Sequence, residues 1–239
     1  MPLGGTLRYC IITNNVATVG TEGGGGVTVG SANGLVESCL IAGNQAQRYG
    51  GGGLDVRLGA VIRNCLIYGN WSFGWGDGNT QTGVGGIKMR GGTVESCTIV
   101  GNYSTCGTGA GGMATTAGSS TVRNSIVYFN QGLYGAADDI KSGFSSASYS
   151  NVVGVLVASV TGTTADPLFM ENGVGVGSGY IPGDYRLQPE SPARDNGILQ
   201  DWMTPEAVDF AGNPRVVNDA VDIGAYEWLF PASTIIIVQ

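Results

Sequence analysis

The sequence predicts an all-β fold, a right-handed parallel β-helix of about five coils with an irregular C-terminal cap. One segment recurs between residues 7 and 154 at intervals of 26–32 residues, and a glycine cluster separates most copies. Repeats of this length are typical of solenoids, in which each repeat buries its apolar side chains against its neighbours. All but one of the prolines lie from residue 167 onward, which indicates a different structure there. The copies begin at Cys10, Cys39, Cys65, Cys97 and Ser125.

The order of residues within one copy indicates how the coil turns. In the second copy Val36, Cys39 and Ile41 are small or apolar, whereas Glu37 is charged. Strict alternation along one strand would put Glu37 and Cys39 on the same face. A single corner residue at Ser38, in the left-handed conformation, removes this contradiction. We therefore predict three short strands per coil, joined by corners and one variable loop.

Two polar columns run through the repeats. The charged position alternates in sign, and neighbouring coils lie about 4.8 Å apart, so opposite charges attract along a column that we expect to face solvent. The asparagine that ends each copy is predicted to stack on its neighbours at a turn. The charged column is Arg8, Glu37, Arg63, Glu95 and Arg123, and the asparagine column is Asn15, Asn44, Asn70, Asn102 and Asn130.

The composition limits the classes of function. The chain has 18 acidic and 11 basic residues, a net charge of -7 and no histidine. A nucleic-acid partner would require a basic surface, so none is expected. Nucleophilic catalysis by a Ser–His or Cys–His pair is excluded, and no motif predicts a metal or cofactor. Four of the five cysteines share one repeat position, which indicates packing rather than disulfides, whereas Cys106 lies in a variable loop and is expected to react with thiol reagents.

The pattern Cys-x-Ile-x-Gly-Asn followed by Gly-Gly resembles the β-helix repeats of polymorphic outer-membrane proteins and related bacterial surface proteins. The motifs at 166–169, 209–215 and 222–227 are similar to the end region of the choice-of-anchor Q family. The resemblance implies a secreted or cell-surface bacterial protein with a β-helix at 1–165 and a cap and tail at 166–239. No segment is apolar enough to span a bilayer, and residues 1–30 lack a signal-peptide pattern, so an export signal is expected outside this sequence.

The strands after the glycine clusters are predicted to gather cations on one outward face, and the longest loop beside them is aromatic. Rings stack on sugars, and guanidinium groups bind carboxylates or sulfates. These residues are therefore candidates for an acidic-polysaccharide site. The alternative is that the acid and the cations pair on a solvated strand while the tryptophans pack under their own loop. The candidates are Arg57, Lys88, Arg90, Asp55, Trp71, Trp75, Tyr49 and Tyr103.

We predict a non-catalytic structural or adhesive module that binds polysaccharide, with two alternatives. The first is a polysaccharide lyase in which Lys88 or Arg90 is the base and Asp55 helps to hold calcium; one carboxylate is a poor site for an ion that takes six to eight oxygens. The second is a head-to-tail filament subunit, in which the β-branched tail at 233–238 docks on the open N-terminal coil of the next subunit.

Overall fold

The computed structural model is a parallel β-solenoid of about four turns, and the residues it describes contain no α-helix. The described residues are 4–18, 23–47, 49–74, 82–107, 109–133, 139–142, 147–157 and 165–229. The predicted fold class is confirmed. The structure has about four turns, whereas the sequence predicted about five coils.

Each complete turn contains four short strands, so the prediction of three was wrong. In the second turn these are β8 (Leu54–Arg57), β9 (Val61–Arg63), β10 (Leu66–Tyr68) and β11 (Trp71–Phe73). The additional strand, β11, directly follows the repeat asparagine, where the sequence suggested that the variable loop begins. The loop begins only after this strand.

The strands of successive turns pair in register in three parallel sheets, and we describe the ten-stranded one as two parts, sheet 2 and sheet 3, which share β17. Sheet 1 is β4 (Val27–Val29), β8, β12 (Ile87–Arg90), β16 (Met113–Thr115) and β18 (Ile140–Ser142). Sheet 2 is β1 (Gly5–Arg8), β5 (Gly34–Glu37), β9, β13 (Gly92–Glu95) and the start of β17 (Gly118–Tyr128). Sheet 3 is β2 (Ile11–Thr13), β6 (Leu40–Ala42), β10, β14 (Thr98–Val100) and the end of β17. Sheet 4 is β3 (Val16–Ala17), β7 (Gln45–Gln47), β11 and β15 (Tyr103–Ser104), and β19 (Ala147–Val157) pairs with β17.

The buried columns predicted from the repeat are confirmed. One hydrophobic core contains four positions of each repeat. They are the cysteine, the residue two after it, the residue three before it, and the first residue of each inner strand of sheet 1. The fully buried members are Cys39, Cys65, Cys97, Ser125, Ile41, Ile67, Ile99, Val127, Val36, Ile62, Val94, Val122, Leu54, Ile87 and Met113.

Two left-handed corners recur at the same positions of every repeat copy. The predicted corner between sheets 2 and 3 has φ of 51° at Ser38 and 53° at Asn64. A second corner, not predicted, directly precedes each repeat asparagine, and glycine occupies it in the inner turns, with φ of 60° at Gly69. Glycine populates this region without the steric cost that a Cβ imposes. The two corners divide the residues of each repeat copy into strands of sheets 2, 3 and 4.

The asparagine column forms the predicted amide ladder inside the turn. Asn70 Oδ1 accepts hydrogen bonds from the backbone N–H and the side-chain amide of Asn44, both at 3.0 Å. Asn70 Nδ2 in turn donates to Asn102 Oδ1 at 3.0 Å and to the carbonyl of Ile41 at 2.9 Å. The ladder ends on a different acceptor, the buried carboxylate of Asp139.

In its described residues, 165–229, the C-terminal segment packs along the side of the solenoid. Its strands β20 (Phe169–Glu171) and β21 (Asp184–Leu187) form an antiparallel pair. Phe169, Leu187 and Ile223 pack on the outward side chains of sheet 3, such as Leu66 and Ile126. Sheet 3 has apolar residues on both faces because this segment covers its outer face.

We expect a single thiol to react rapidly in the folded chain. None of the five cysteines, all of which the structure describes, forms a disulfide, and only Cys10 is partly exposed. Cys106 is buried, with its sulfur 3.7 Å from the Ser72 hydroxyl, and burial raises the pKa of its thiol. We therefore expect Cys106 to react slowly, in contrast to the prediction from the sequence. Titration with a chromogenic disulfide reagent should give one thiol natively and five in denaturant. Rapid native labelling of three or more would contradict the buried column.

Candidate functional site

The predicted cation face belongs to sheet 1. Lys88 pairs in register with Asp55, and Arg90 with Arg57. Asp55 is buried and accepts hydrogen bonds from Arg57 Nε at 3.0 Å and from Arg90 Nη2 at 2.6 Å. This carboxylate therefore neutralises part of the positive charge on the face. The sequence analysis gave such pairing of the acid with the cations as the alternative to a ligand site.

Sheet 1 is not the open, solvated face that the sequence predicted, because loops cover it. Lys88 points away from the core but is only 1% exposed. Its ammonium group donates to the main-chain carbonyl of Tyr49 and, at 3.1 Å, to the hydroxyl of Thr82. A buried ammonium requires such acceptors. As a lyase base, Lys88 would have to reach its substrate through these loops.

Sheet 4 carries a different outward surface, which is aromatic and uncharged. Trp71 is in register with Gln45 on one side and with Tyr103 on the other, and Tyr103 pairs with Gln131. A second row is formed by Phe73 beside Gln47, and the rings of Trp71 and Phe73 are 6.0 Å apart. All of these side chains are half-buried. We call this surface the aromatic face: Gln45, Gln47, Trp71, Phe73, Tyr103 and Gln131.

The glycine clusters explain why sheet 4 directs its large side chains outward. The alternate residues Ser72 and Ser104 are small and buried. The core behind them is thin, since a Cβ added at Gly52 would lie 2.6 Å from the backbone nitrogen of Trp71. No large side chain fits between the glycine cluster and this sheet, so the rings of β11 and β15 project outward.

A small pocket adjoins the aromatic face at the corner between sheets 3 and 4. It has a volume of about 230 Å³, and its walls include Asn14, Tyr68, Ser178 and Tyr180. The C-terminal segment closes one side, where the N–H of Gly177 donates to the carbonyl of Gly101 at 2.8 Å. We call it the corner pocket. Uncharged hydrogen-bonding groups in a small concave site suit a ligand with hydroxyl groups.

The corner pocket and the aromatic face are in direct contact. A Cβ added at Gly177 would lie 3.2 Å from the Cβ of Trp71 and 3.1 Å from that of Tyr103. The loop that contains Ser178 therefore borders both surfaces. A ligand on the rings can extend into the pocket without crossing a charged group of the described residues that form the two surfaces.

The structure distributes the candidate residues over two sheets. Asp55, Arg57, Lys88 and Arg90 belong to sheet 1, whereas Trp71 and Tyr103 belong to sheet 4. Tyr49 contributes its main-chain carbonyl to Lys88. Trp75 lies outside the described residues. Sequence reasoning missed Gln45, Gln47, Phe73 and Gln131, although each stands one or three positions after a repeat asparagine, as Trp71 and Tyr103 do.

The charged column forms the expected ion pairs, but it is not open to solvent along its whole length. Arg63 contacts Glu37 at 3.4 Å and Glu95 at 2.9 Å. The Glu95 side chain is only 2% exposed, and Trp202 of the C-terminal segment places its ring 4.6 Å from the Arg63 guanidinium carbon. Solvent exposure of the inner column was therefore a wrong expectation, because sequence alone did not show that the C-terminal segment folds back here.

Reversing Arg63 to glutamate is expected to lower the free energy of unfolding by about 1–3 kcal/mol, because it sets three acids side by side in a partly covered site. Much of this loss should persist in high salt, since buried pairs are screened less than exposed ones. Arg8→Glu is the matched control: Arg8 is half-exposed at the end of the column, and its effect should be about 0–1 kcal/mol and vanish in salt. Urea denaturation at low and high salt measures the free energy of unfolding of both variants. Equal salt responses would contradict the burial of the inner charged column beneath the C-terminal segment.

The C-terminal segment holds a second group of charges inside its own fold. Asp209, Asp222, Arg215 and Glu227 are all buried, with Arg215 Nε 3.1 Å from Glu227 Oε1. Burial, only partly opposed by Arg215, raises the pKa of Glu227 to about 8. The carboxylates of Asp209 and Asp222 accept backbone N–H groups of the same segment. The described residues contain no group of three ligands placed to hold a metal ion, and this network ties the segment together.

Stability should fall as the pH rises from about 4.5 to about 8 because of Glu227. Its pKa in the folded chain, about 8, lies above the ordinary value of 4.5. The folded state therefore binds the proton more tightly, so this stabilising contribution is full below the ordinary pKa and is lost as the pH rises toward the folded value. Glu227→Gln should flatten the fall in melting temperature between about pH 5 and pH 9. An unchanged pH profile in this variant would contradict the raised pKa.

Comparisons with known proteins give no relative. No family model, no curated protein and no solved structure matches the chain. In the part of the chain that the structure describes, there is no apolar helix of the length that would span a bilayer.

Proposed function

We propose that the chain is a non-catalytic carbohydrate-binding module of an extracellular or cell-surface protein, and that a polysaccharide lies along the aromatic face. The observation that supports this most is the column of outward rings and amides on sheet 4. Trp71 and Tyr103 are neighbours in register, with Gln45 and Gln131 at the two ends of the row.

The geometry of a solenoid suits a chain of sugars. Neighbouring turns are about 4.8 Å apart, which is comparable to the length of one pyranose ring along a polysaccharide. A glycan parallel to the solenoid axis would therefore meet one row of side chains per sugar. Ring faces stack on the apolar faces of sugars, and glutamine amides both donate to and accept from hydroxyl groups.

The preferred ligand is an uncharged polysaccharide, which differs from the acidic ligand expected from the sequence. The aromatic face carries no charged residue, and the chain as a whole has a net charge of -7. The arginines on sheet 1 are engaged by Asp55. An acidic glycan would lose its water at the aromatic face without gaining a counter-charge, and this costs free energy.

Binding without catalysis fits the groups that surround this surface. A glycosidase uses two opposed carboxyl groups, and a lyase needs a base and a cation beside a uronate. The residues that line the corner pocket are uncharged, from Thr13 and Asn14 to Ser178 and Tyr180. The aromatic face adds only rings and amides.

We propose further that the protein is a secreted bacterial surface protein of the polymorphic outer-membrane or choice-of-anchor Q type. The support is the repeat pattern at 7–154 and the motifs of the C-terminal segment. The buried network of Asp209, Arg215, Asp222 and Glu227 gives those motifs a structural role. Detection of the full-length protein on intact cells by an antibody against this chain would test the location.

Affinity electrophoresis in gels that contain neutral or acidic polysaccharides tests the proposed function. Binding to a neutral glycan should survive high salt, and Trp71→Ala and Tyr103→Ala should each weaken it by about tenfold or more, as removal of a central ring at an interface does. Tyr9→Ala is the control, because Tyr9 is exposed on another surface. Its affinity should be unchanged.

Two outcomes would overturn this assignment. Salt-sensitive binding to acidic glycans that is lost in an Arg57→Ala, Arg90→Ala double variant would move the site to sheet 1. No binding across a broad panel of neutral and acidic glycans would leave only a structural role.

A further inference from the structure

A cleft of about 330 Å³ lies between sheet 3 and the C-terminal segment. Its floor includes Leu40 and Leu66, which pair in register on β6 and β10. Pro182 and Gly183, directly before β21, also line it. Sites for small molecules usually have volumes of about 300–1,000 Å³ and mostly apolar walls. We call this space the segment cleft, and none of the residues of the aromatic face lines it.

Four aromatic rings line the segment cleft. The rings of Tyr68 and Tyr185 are 6.0 Å apart and tilted, and those of Phe210 and Tyr226 are 5.6 Å apart and edge-to-face. Burial raises the pKa values of the three tyrosine hydroxyls, so these rings are uncharged at neutral pH. Several neutral rings around one space form a cage that attracts a cation through the negative faces of the rings.

The buried charge network of the C-terminal segment holds one pair of these rings in place. Phe210 directly follows Asp209, and Tyr226 directly precedes Glu227. The backbone N–H of Glu227 donates to Asp209 Oδ2 at 2.9 Å, and the N–H of Phe210 donates to the carbonyl of Ala225 at 2.8 Å. The two rings are therefore positioned before a ligand arrives, which reduces the entropy lost on binding.

An ion pair stands at the mouth of the segment cleft. Asp184 and Arg186 both line it, and they project from the same face of β21 because they are two residues apart. Arg186 Nε donates to the two carboxylate oxygens of Asp184 at 2.9 and 3.1 Å. Hydrogen bonding from Arg186 lowers the pKa of Asp184, so the carboxylate is charged at neutral pH. The side chains of Arg186 and Asp184 are 64% and 31% exposed, so a ligand in the cleft can contact both charges.

We propose that the segment cleft binds a small zwitterionic group in which a quaternary ammonium stands beside an anion, as in phosphocholine. The ammonium lies among the rings and beside Asp184, and the anion lies at Arg186. Because the ion pair has no net charge, it favours a ligand whose two charges run in the opposite order over a ligand with a net charge. A quaternary ammonium has no N–H group that would need an acceptor in the cleft, and its methyl groups suit the apolar floor.

A neutral sugar fits the segment cleft less well than it fits the aromatic face. Sugar hydroxyl groups require donors and acceptors, which the aromatic face supplies as glutamine amides. In the segment cleft Leu40, Leu66 and Pro182 stand in place of such amides. Hydroxyl groups over these side chains would lose water without gaining a partner.

Isothermal titration calorimetry of the whole chain with phosphocholine tests the proposal, and saturable binding is expected. The carbon isostere, in which a neutral tert-butyl group replaces the trimethylammonium group, should bind about tenfold more weakly, because the rings and Asp184 attract only the cation. Choline, which lacks the phosphate, should also bind about tenfold more weakly, because it makes no contact with Arg186. These comparisons use one folded protein, so loss of folding cannot produce them.

Variants of the chain test the same contacts from the protein side. Asp184→Asn and Tyr226→Leu should each weaken phosphocholine binding by about tenfold. Asp195→Asn is the matched control, because the Asp195 side chain is 63% exposed and does not line the cleft. The affinity of this control for phosphocholine should be unchanged. Urea denaturation of each variant confirms that it is folded.

Vesicles distinguish two sources of the zwitterionic group. Co-sedimentation with phosphatidylcholine vesicles, and not with phosphatidylglycerol vesicles, would assign the ligand to a lipid surface. Binding of soluble phosphocholine without co-sedimentation would assign it to a soluble molecule. The proposal is overturned by the absence of saturable binding, by equal affinity for the carbon isostere or for choline, or by an unchanged affinity of the Asp184→Asn chain.

Discussion

Replacing Gly52 by alanine should destabilise the protein by about 3 kcal/mol or more, because the added methyl group has no space that side-chain motion could create. The new Cβ would overlap the carbonyl oxygen of Gly85 in the next turn and lie 2.6 Å from the backbone nitrogen and oxygen of Trp71. These are main-chain atoms of the next glycine cluster and of sheet 4. Relief requires the turns to separate, which would also displace the aromatic face.

Gly30 provides the matched control for this substitution. A Cβ at Gly30 meets no atom within 4 Å, so Gly30→Ala should change stability by no more than about 0.5 kcal/mol. Urea denaturation followed by circular dichroism and by tryptophan fluorescence measures both variants. Equal midpoints would show that the glycine cluster is not tightly packed. Because solenoids can unfold in parts, agreement between the two probes should be established first.

The repeat specifies the inner turns closely, because every turn has to satisfy its neighbours. Ser38 was identified as a corner because only a change of phase reconciles Glu37 with Cys39, and its φ is positive as expected. The stacking of Asn44 and Asn70 follows from the same in-register geometry. Such features depend on contacts one repeat away, which the sequence itself displays.

Features that depend on contacts outside the repeat could not be predicted. The packing of Phe169 on sheet 3 and of Trp202 on Arg63 joins distant parts of the chain without a periodic pattern. The cover over Lys88 comes from loops, whose lengths vary. The candidate site could be predicted only in part for the same reason. The sequence indicated Trp71 and Tyr103 by residue type. Their outward direction depends on a fourth strand in each turn, which the sequence did not predict.

Substituting alanine for Asn70 is the second change for which we expect a large effect, about 3–5 kcal/mol, because it opens the ladder in its middle. The backbone N–H of Asn44 loses its acceptor at 3.0 Å, and the carbonyl of Ile41 loses a side-chain donor at 2.9 Å. The amide of Asn44 loses one of its two bonds. Water cannot easily replace these partners, since Asn44 and Asn70 are completely buried, and each unsatisfied buried group costs about 1–3 kcal/mol.

Asn15 gives the control at the exposed end of the same ladder. Its amide also donates to Asn44 Oδ1, at 2.9 Å, but the backbone N–H of Asn15 bonds the same oxygen at 3.0 Å. Asn15→Ala therefore leaves Asn44 Oδ1 satisfied and should cost about 1 kcal/mol or less. Thermal and urea denaturation of both variants measure the difference. If Asn70→Ala were as mild as Asn15→Ala, the fold would be stabilised by apolar packing alone, and the ladder would serve only to keep the turns in register.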